Sequence, residues 1–451
     1  MRHHRKSRGW LALGLLATAS AALSACDFSV TNPGPVEDKF LDSLSARRAL
    51  VTGARRALAT ILGDQGGVLY WGAAITYELN PAGSTGSYGI PTEVQAGRLR
   101  KEENTWSDAQ VARWVAEDAI RRFKARSFPE DSLFAVLYLW AGYANRLLGE
   151  NFCDAVFDGG PKEDFKNFFT RAEGHFTEAL RIANALTINA ANKANLVNAA
   201  LAGRASVRLY LATYTKDATK RAEAVADATP VPNTFRWQMP YFDQDQTQYN
   251  GLYWAQAGTP YRAHTEWATY YEDYYRTTRD PRVPWDTTNL RGDAAVSKFA
   301  AYPNVVNGRV PFWPQAKYKA RNAGVNLSSG WEMRLIEAEA ALMAGDTTTA
   351  LARMNLRRTN LGLPPINAGG SLAGAWTQLK RERMLELWLE ARRLGDLRRW
   401  SVANTPGQTF DGVWVTGETS PRETMTNPTQ RALCFPIGLN EEQTNPNLKK
   451  P

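Results

Sequence analysis

The stretch from Trp331 to Trp400 constrains the fold more than any other part of the chain. Trp331, Leu335, Ala338 and Leu342 recur at steps of three and four, the spacing that puts one face of a helix into a core. Gly345-Asp346 ends that helix. The threonines from Thr347 to Thr349 open a second one, carrying Ala350, Leu351 and Met354, and Gly362 with Pro364-Pro365 stops it. A third helix is expected from Leu379 to Trp400. On it Glu382, Glu386 and Glu390 fall four apart and Arg393 three later, so one face holds carboxylates and a guanidinium beside Leu385, Trp388 and Leu389. Such a row is either a carboxylate pair for acid/base work, with Glu386 and Glu390 as the pair, or an ion-pair network between packed helices. Arg383, Arg392, Arg393, Arg398 and Arg399 supply cations at once, which favours the network, since buried carboxylates without partners are costly.

The first 25 residues read as a signal peptide and are set apart from the fold. A basic start (Arg2, Arg5, Lys6, Arg8), an apolar run from Trp10 to Leu23 and Leu23-Ser24-Ala25-Cys26 give the three regions of a secretory leader. The last four residues resemble a bacterial lipobox, which implies cleavage before Cys26, acylation of its thiol and new amino terminus, and a lipid-only anchor. The 451-residue chain carries a net charge of +9, and four of its 54 basic residues precede the apolar run; the remaining 50 face 45 acidic ones. That excess is small and scattered, so nucleic acid is not an expected partner. Cys153 and Cys434 remain as an even pair in a disulfide-permitting compartment, to be bridged across most of the chain or buried as separate thiols. Four histidines, two of them in the leader, and no ligand-spaced cluster give no reason to expect a metal or other cofactor.

Residues 26–451 read as one domain: a tether at 27–42, a helical scaffold over 43–230 and 331–400, an irregular layer at 231–330 and a tail at 401–451. Ser43 or Ser45 is expected to cap a helix running to about Leu62, followed by a partner over Leu69 to Leu79. Ser107 and Gln110 form a capping-box pattern opening a helix with Val111, Trp114, Val115 and Phe123 inward. Asp131 to Leu148 is apolar nearly all round and therefore central. Ala172, Phe176 and Ala179, small, aromatic, small at steps of four and three, resemble the second helix of a tetratricopeptide repeat. Ala194 to Leu211 and Thr219 to Ala228 make a further pair. The fold class expected is mainly α, about four helix pairs in a tetratricopeptide-like superhelix, with minor β.

Residues 231–330 are rich in proline and aromatic rings without clean periodicity, with a helix expected near Ala263 to Arg276 and strands near Val305 to Trp313. Flat rings beside polar groups suit sugars, whose C–H faces stack while their hydroxyls take hydrogen bonds. From loop position and ring chemistry, Tyr77, Asn80, Tyr88, Trp285 and Trp313 are the candidate ligand-binding residues.

Glu382-Arg383, Glu386-Leu387, Glu390, Arg393, Asp396-Leu397 and Arg399-Trp400 together resemble the C-terminal signature of the SusD/RagB family. Arg334, Glu337, Ala338-Glu339-Ala340, Gly345-Asp346 and Asn355 with Arg358 resemble the helix pair before it, and Phe435-Pro436-Ile437 the terminal segment. Ala391 departs from the pattern, which commonly has glycine there, a change expected to be without consequence. The resemblance implies an outer-membrane lipoprotein, exposed at the cell surface, that captures oligosaccharides, or in some members peptides, for a TonB-dependent SusC-like transporter and is not an enzyme. It also assigns Arg334, Glu337, Glu382, Glu386, Glu390, Arg393 and Asp396 to a charge network inside the scaffold. The rival readings are a tetratricopeptide-type peptide-binding lipoprotein and a glycoside hydrolase using Glu386 and Glu390.

Overall fold

The computed structural model describes residues 38–63, 67–81, 105–257, 264–267, 269–286, 290–291, 311–367, 369–410 and 432–448. The leader, Cys26 and Tyr88 lie outside them. The chain divides into two compact units, Met1–Ala46 and Arg47–Pro451. In the first, Asp38–Asp42 and Leu44–Ala46 are short 3-10 turns, joined where the Ser43 amide donates to the Phe40 carbonyl at 3.2 Å.

The second unit is built from helices α1 (Arg47–Gly63), α2 (Val68–Ile75), α3 (Thr105–Ala125), α4 (Ser132–Asn151), α5 (Lys166–Ala185), α6 (Ala190–Thr215), α7 (Ala218–Ala228), α8 (Gly251–Ala257), α9 (Tyr270–Thr278), α10 (Gly330–Met343), α11 (Thr347–Asn360), α12 (Leu372–Glu386), α13 (Arg393–Val402) and α14 (Leu439–Thr444). Short antiparallel pairs supply the minor β: β1 (Asn80–Pro81) with β5 (His264–Thr265), β2 (Asp154–Ala155) with β3 (Glu163–Asp164), β4 (Arg236–Met239) with β8 (Val325–Ser329), and β6 (Leu290–Arg291) with β7 (Pro311–Phe312). The architecture is the mainly α, tetratricopeptide-like one. Neighbours pack in sequence order, α3 on α4, α4 on α5, α5 on α6, α6 on α7 and α10 on α11.

Capping explains where several helices begin. The Asp131, Asn189, Asp217 and Asp346 side chains each accept from amides of the turn they open, satisfying donors that have no partner inside the helix. Packing explains why they stay together. Phe176 of α5 wedges between α4 and α6, where a methyl group on Gly142 or Gly203 would lie 2.7 or 2.3 Å from its ring. The two glycines leave the space that the ring fills.

α3 is turned differently from the sequence expectation. It begins at Thr105, so Ser107 lies inside it, and Gln110 instead donates to the Val156 carbonyl at 3.0 Å. Val111 and Trp114 face outward, about half exposed, while Trp106, Ala109, Ala112, Ala116, Ala119 and Phe123 are buried. Alanines carry the buried stripe because they let neighbouring helices approach closely, and the larger side chains fall on the free face.

The expected third helix of the opening stretch is two. α12 stops at Glu386, a turn over 387–392 follows with Leu389 and Ala391 at φ of 56° and 59°, and α13 starts at Arg393. Glu390 therefore lies in the turn, not on a helical row with Glu382 and Glu386. Two hydrophobic clusters flank this region, a large one over most of the scaffold and a smaller one from α10 to α13 around Trp376 and Trp400.

Candidate functional site

The expected acidic row is occupied by cations. Glu382 accepts from Arg358 at 2.9 Å and from Arg282 at 2.7 Å, Glu386 from Arg357 at 2.9 Å, and Glu390 from Lys317 at 2.8 Å and Asn326 at 2.7 Å. Asp396 lies 2.9 Å from both Arg383 and Arg399, and Arg399 also pairs with Glu339. Burial alone would raise the Asp396 carboxyl, but Arg383 and Arg399 hold it well below the usual carboxylate range. Arg334 pairs with Glu337 at 3.2 Å and reaches the Ala228 carbonyl at 2.6 Å. Arg393 serves differently: it donates to the Thr409 and Phe410 carbonyls, both at 3.0 Å. Glu386, partly buried, and Glu390, buried, the candidate catalytic pair, are thus tied to side chains from other elements.

Aromatic residues gather elsewhere, around α9 and β5. Segments 284–286 and 314–316 run side by side, with the Ala316 amide donating to the Pro284 carbonyl at 2.7 Å and the Asp286 amide to the Pro314 carbonyl at 2.9 Å. That pairing sets the Trp285 and Trp313 rings in a stack, centroids 5.1 Å apart and planes 20° from parallel. The Trp313 backbone is fixed by β5: its amide donates to Thr265 Oγ1 at 2.9 Å and its carbonyl accepts from Glu266 at 2.8 Å. Arg276, on the exposed side of α9, brings its guanidinium 5.3 Å from the Trp313 centroid and 5.9 Å from that of Trp285, while its charge pairs with Glu272 one turn earlier. Tyr275 meets Trp285 at a steep angle, 5.9 Å away.

The proposed ligand residues divide by burial. Trp313 is partly open, whereas Trp285 is 6% exposed and backs it. Asn80 is 5% exposed and spends its amide on the Trp267 carbonyl at 2.6 Å, its backbone pairing with Thr265, so it braces β5 rather than offering a surface. Tyr77, at φ 56° in the turn after α2, is equally enclosed. The structure therefore brings Asn80, Trp285 and Trp313 to one place around β5, but only Trp313 presents a ring.

Sequence reasoning missed Arg276, Thr265 and the buried pair His264 and Glu266. The Glu272–Arg276 spacing of four was the available signal for Arg276; nothing in the sequence marked the others. Burial pushes the His264 imidazole down to about 3, which keeps it neutral at pH 7, and burial with the charges of Glu78 and Glu272 pushes the Glu266 carboxyl well above its ordinary value. Among the described residues no group of three or more histidine, cysteine or acidic side chains is arranged to hold a metal. The site offers a ring face, a guanidinium edge and a rigid floor, which suits binding of a flat, hydroxylated ligand.

At the far end of the chain Cys153 and Cys434 are joined, with Cα atoms 5.0 Å apart. The Cys153 amide donates to the Phe435 carbonyl at 2.9 Å and the Phe435 amide to the Asn151 carbonyl at 2.7 Å, so the terminal segment is fastened to the scaffold by backbone bonds beside the disulfide. Among the described residues no helix is long and apolar enough to cross a membrane.

Similarity searches agree with this architecture. A SusD superfamily protein from Parabacteroides distasonis superposes with a TM-score of 0.65 at 14% identity, covering 90% of this chain and 98% of that one. A Bacteroidetes SusD-like protein gives 0.62 at 15%, covering 88% and 96%, and a SusD-like carbohydrate binding protein from Bacteroides vulgatus gives 0.56 at 16%, covering 79% and 83%. At these identities the likeness is one of fold. No curated protein matches the sequence. The SusD family profile matches residues 204–450, more than half of the sequence and including the whole α10–α13 charge network, and the chain belongs to that family.

Proposed function

We propose that this chain is a cell-surface lipoprotein, anchored through Cys26, that captures oligosaccharides and passes them to a TonB-dependent outer-membrane transporter without cleaving them. The observation that carries the reading is the partly exposed Trp313, its ring stacked on buried Trp285 and within cation–π distance of Arg276, on a scaffold of the SusD family. A ring held flat from behind loses little freedom when a sugar stacks on it, and the guanidinium beside it can donate to ring hydroxyls. The carbohydrate-binding description of the Bacteroides vulgatus protein of the same fold supports the ligand class. Glu386 and Glu390 do not serve as a hydrolytic pair in this reading, because each is held by cross-element bonds, Glu386 Oε2 by Arg357 and Glu390 Oε1 by Lys317 and Asn326.

Titration of the purified protein with a panel of neutral oligosaccharides tests the ligand class. Binding of at least one, without release of reducing ends, is expected. Isolation of the acylated protein from membranes tests the partner: recovery with a large β-barrel transporter supports delivery, and recovery alone under mild detergent counts against it.

A further inference from the structure

A second cavity, lined by α1 and the loop after β4, has a different chemistry. Its volume is about 290 Å³, the scale of a single sugar ring. Thr52, Arg55, Arg56 and Ala59 line one wall, the positions that form one stripe of a helix, and Pro240, Phe242 and Gln248 line the other. The loop is pinned rather than loose. The Tyr241 hydroxyl donates to the Ala59 carbonyl at 3.1 Å, the Tyr241 ring fills the space beside Gly63, and the Phe242 amide donates to the Gln248 carbonyl at 2.9 Å.

The two arginines lack the carboxylate partner that many other arginines of the described residues hold. Arg47, Arg113, Arg204, Arg282, Arg392 and Arg399 each hold a carboxylate within 3 Å. Arg55 and Arg56 hold none among the described residues. Arg55 instead lies over the Phe242 ring, 5.5 Å from its centroid, which positions the guanidinium without neutralising it. The nearby carboxylate, Asp245, accepts from the Thr247 amide and hydroxyl at 2.8 and 2.6 Å and lies within electrostatic reach of Arg56 without forming an ion pair with it. Two guanidinium groups without a carboxylate at ion-pair distance among the described residues, a threonine hydroxyl and a glutamine amide thus line a cavity with apolar walls.

We propose that this cavity binds an oxyanion carried on a sugar, the carboxylate of a uronic acid residue, with Arg55 and Arg56 as its counter-charges. Guanidinium groups favour carboxylates through paired, charge-assisted hydrogen bonds, and Pro240 and Ala59 offer apolar surface to the ring. The anion preference follows from the cavity itself; the choice of a sugar as carrier rests on the glycan-capture reading.

The test is calorimetric titration of the full chain with digalacturonate, its methyl ester, a neutral oligosaccharide that binds the wild type, and inorganic sulfate, repeated on an Arg55→Gln/Arg56→Gln variant. Digalacturonate is expected to bind, its ester at least about tenfold more weakly, and the variant to lose at least about tenfold for the acid while keeping its affinity for the neutral oligosaccharide. The ester comparison uses the wild type alone and stands even where the variant fails to fold. Equal affinity for acid and ester, or no loss in the folded variant, overturns the proposal. Sulfate binding as tightly as digalacturonate overturns its sugar component. Acid binding without any neutral oligosaccharide binding upholds this site and removes the Trp313 reading instead.

Discussion

Ala391 occupies a left-handed backbone position at φ 59°, where its Cβ crowds the following carbonyl oxygen at a cost of roughly 1–2 kcal/mol. The departure from glycine at this position therefore has a consequence after all. Ala391→Gly relieves the crowding but gains entropy in the unfolded chain, and a net stabilisation of about 0.5 kcal/mol is expected from chemical denaturation. A clear loss of stability would mean that the methyl group's packing outweighs the strain. The same turn depends on Glu78, whose carboxylate accepts from the Leu389 amide at 2.9 Å while its carbonyl accepts from the Trp388 indole at 3.1 Å. Burial raises the Glu78 carboxyl from 4.5 to about 7, against the opposing pull of the Leu389 amide and of Arg393. The folded state thus binds this proton more tightly than the unfolded state. The stabilising contribution is fully present below pH 4.5 and is lost as pH rises to about 7. Glu78→Gln keeps an acceptor for Leu389 and carries no charge. Its stability relative to wild type is expected to climb across that window by about 3 kcal/mol and then level off. Equilibrium unfolding at a series of pH values checks this, and a pH-independent difference would contradict it.

At the scale of elements, α4, α5 and α6 are held at close range by a ring facing two glycines. Gly203→Ala places a methyl 2.3 Å from Phe176, and a destabilisation of about 1–3 kcal/mol is expected in thermal unfolding, since both backbones must move to make room. A neutral result would show that the helices are not in close contact there. The sequence made this packing legible, because Ala172, Phe176 and Ala179 repeat a local pattern that needs no knowledge of distant residues. It was less informative wherever the pattern was ambiguous. In α3 the buried face is mostly alanine, so weighting by side-chain size turned the helix the wrong way and placed Val111 and Trp114 inside. Across the α12–α13 turn, the spacing of Glu382, Glu386 and Glu390 continued as if helical, while Leu389 and Ala391 broke the backbone without glycine or proline to announce it. The site around β5 was hidden for another reason: Asn80, Thr265, Trp285 and Trp313 are far apart in sequence and meet only through backbone pairing.

For the molecule as a whole, the charged residues that first resembled a catalytic row act as fasteners between α10, α11, α12, α13 and the segment that follows α9, with Arg282, Arg358 and Arg399 each bridging separate segments. Such buried pairs specify which elements meet more than they add net stability, and each carboxylate of the row, Glu382, Glu386 and Glu390, takes part in one. In the proposed function, recognition falls instead to rings and cations carried on the periphery of the helices. Titration of a bound oligosaccharide into Trp313→Ala, with wild type alongside, tests this division most directly. The account predicts an affinity loss of about 1–3 kcal/mol with the melting temperature nearly unchanged and no sugar cleaved by either protein. Unchanged affinity in the folded variant, or cleavage that disappears in Glu386→Gln, would contradict it.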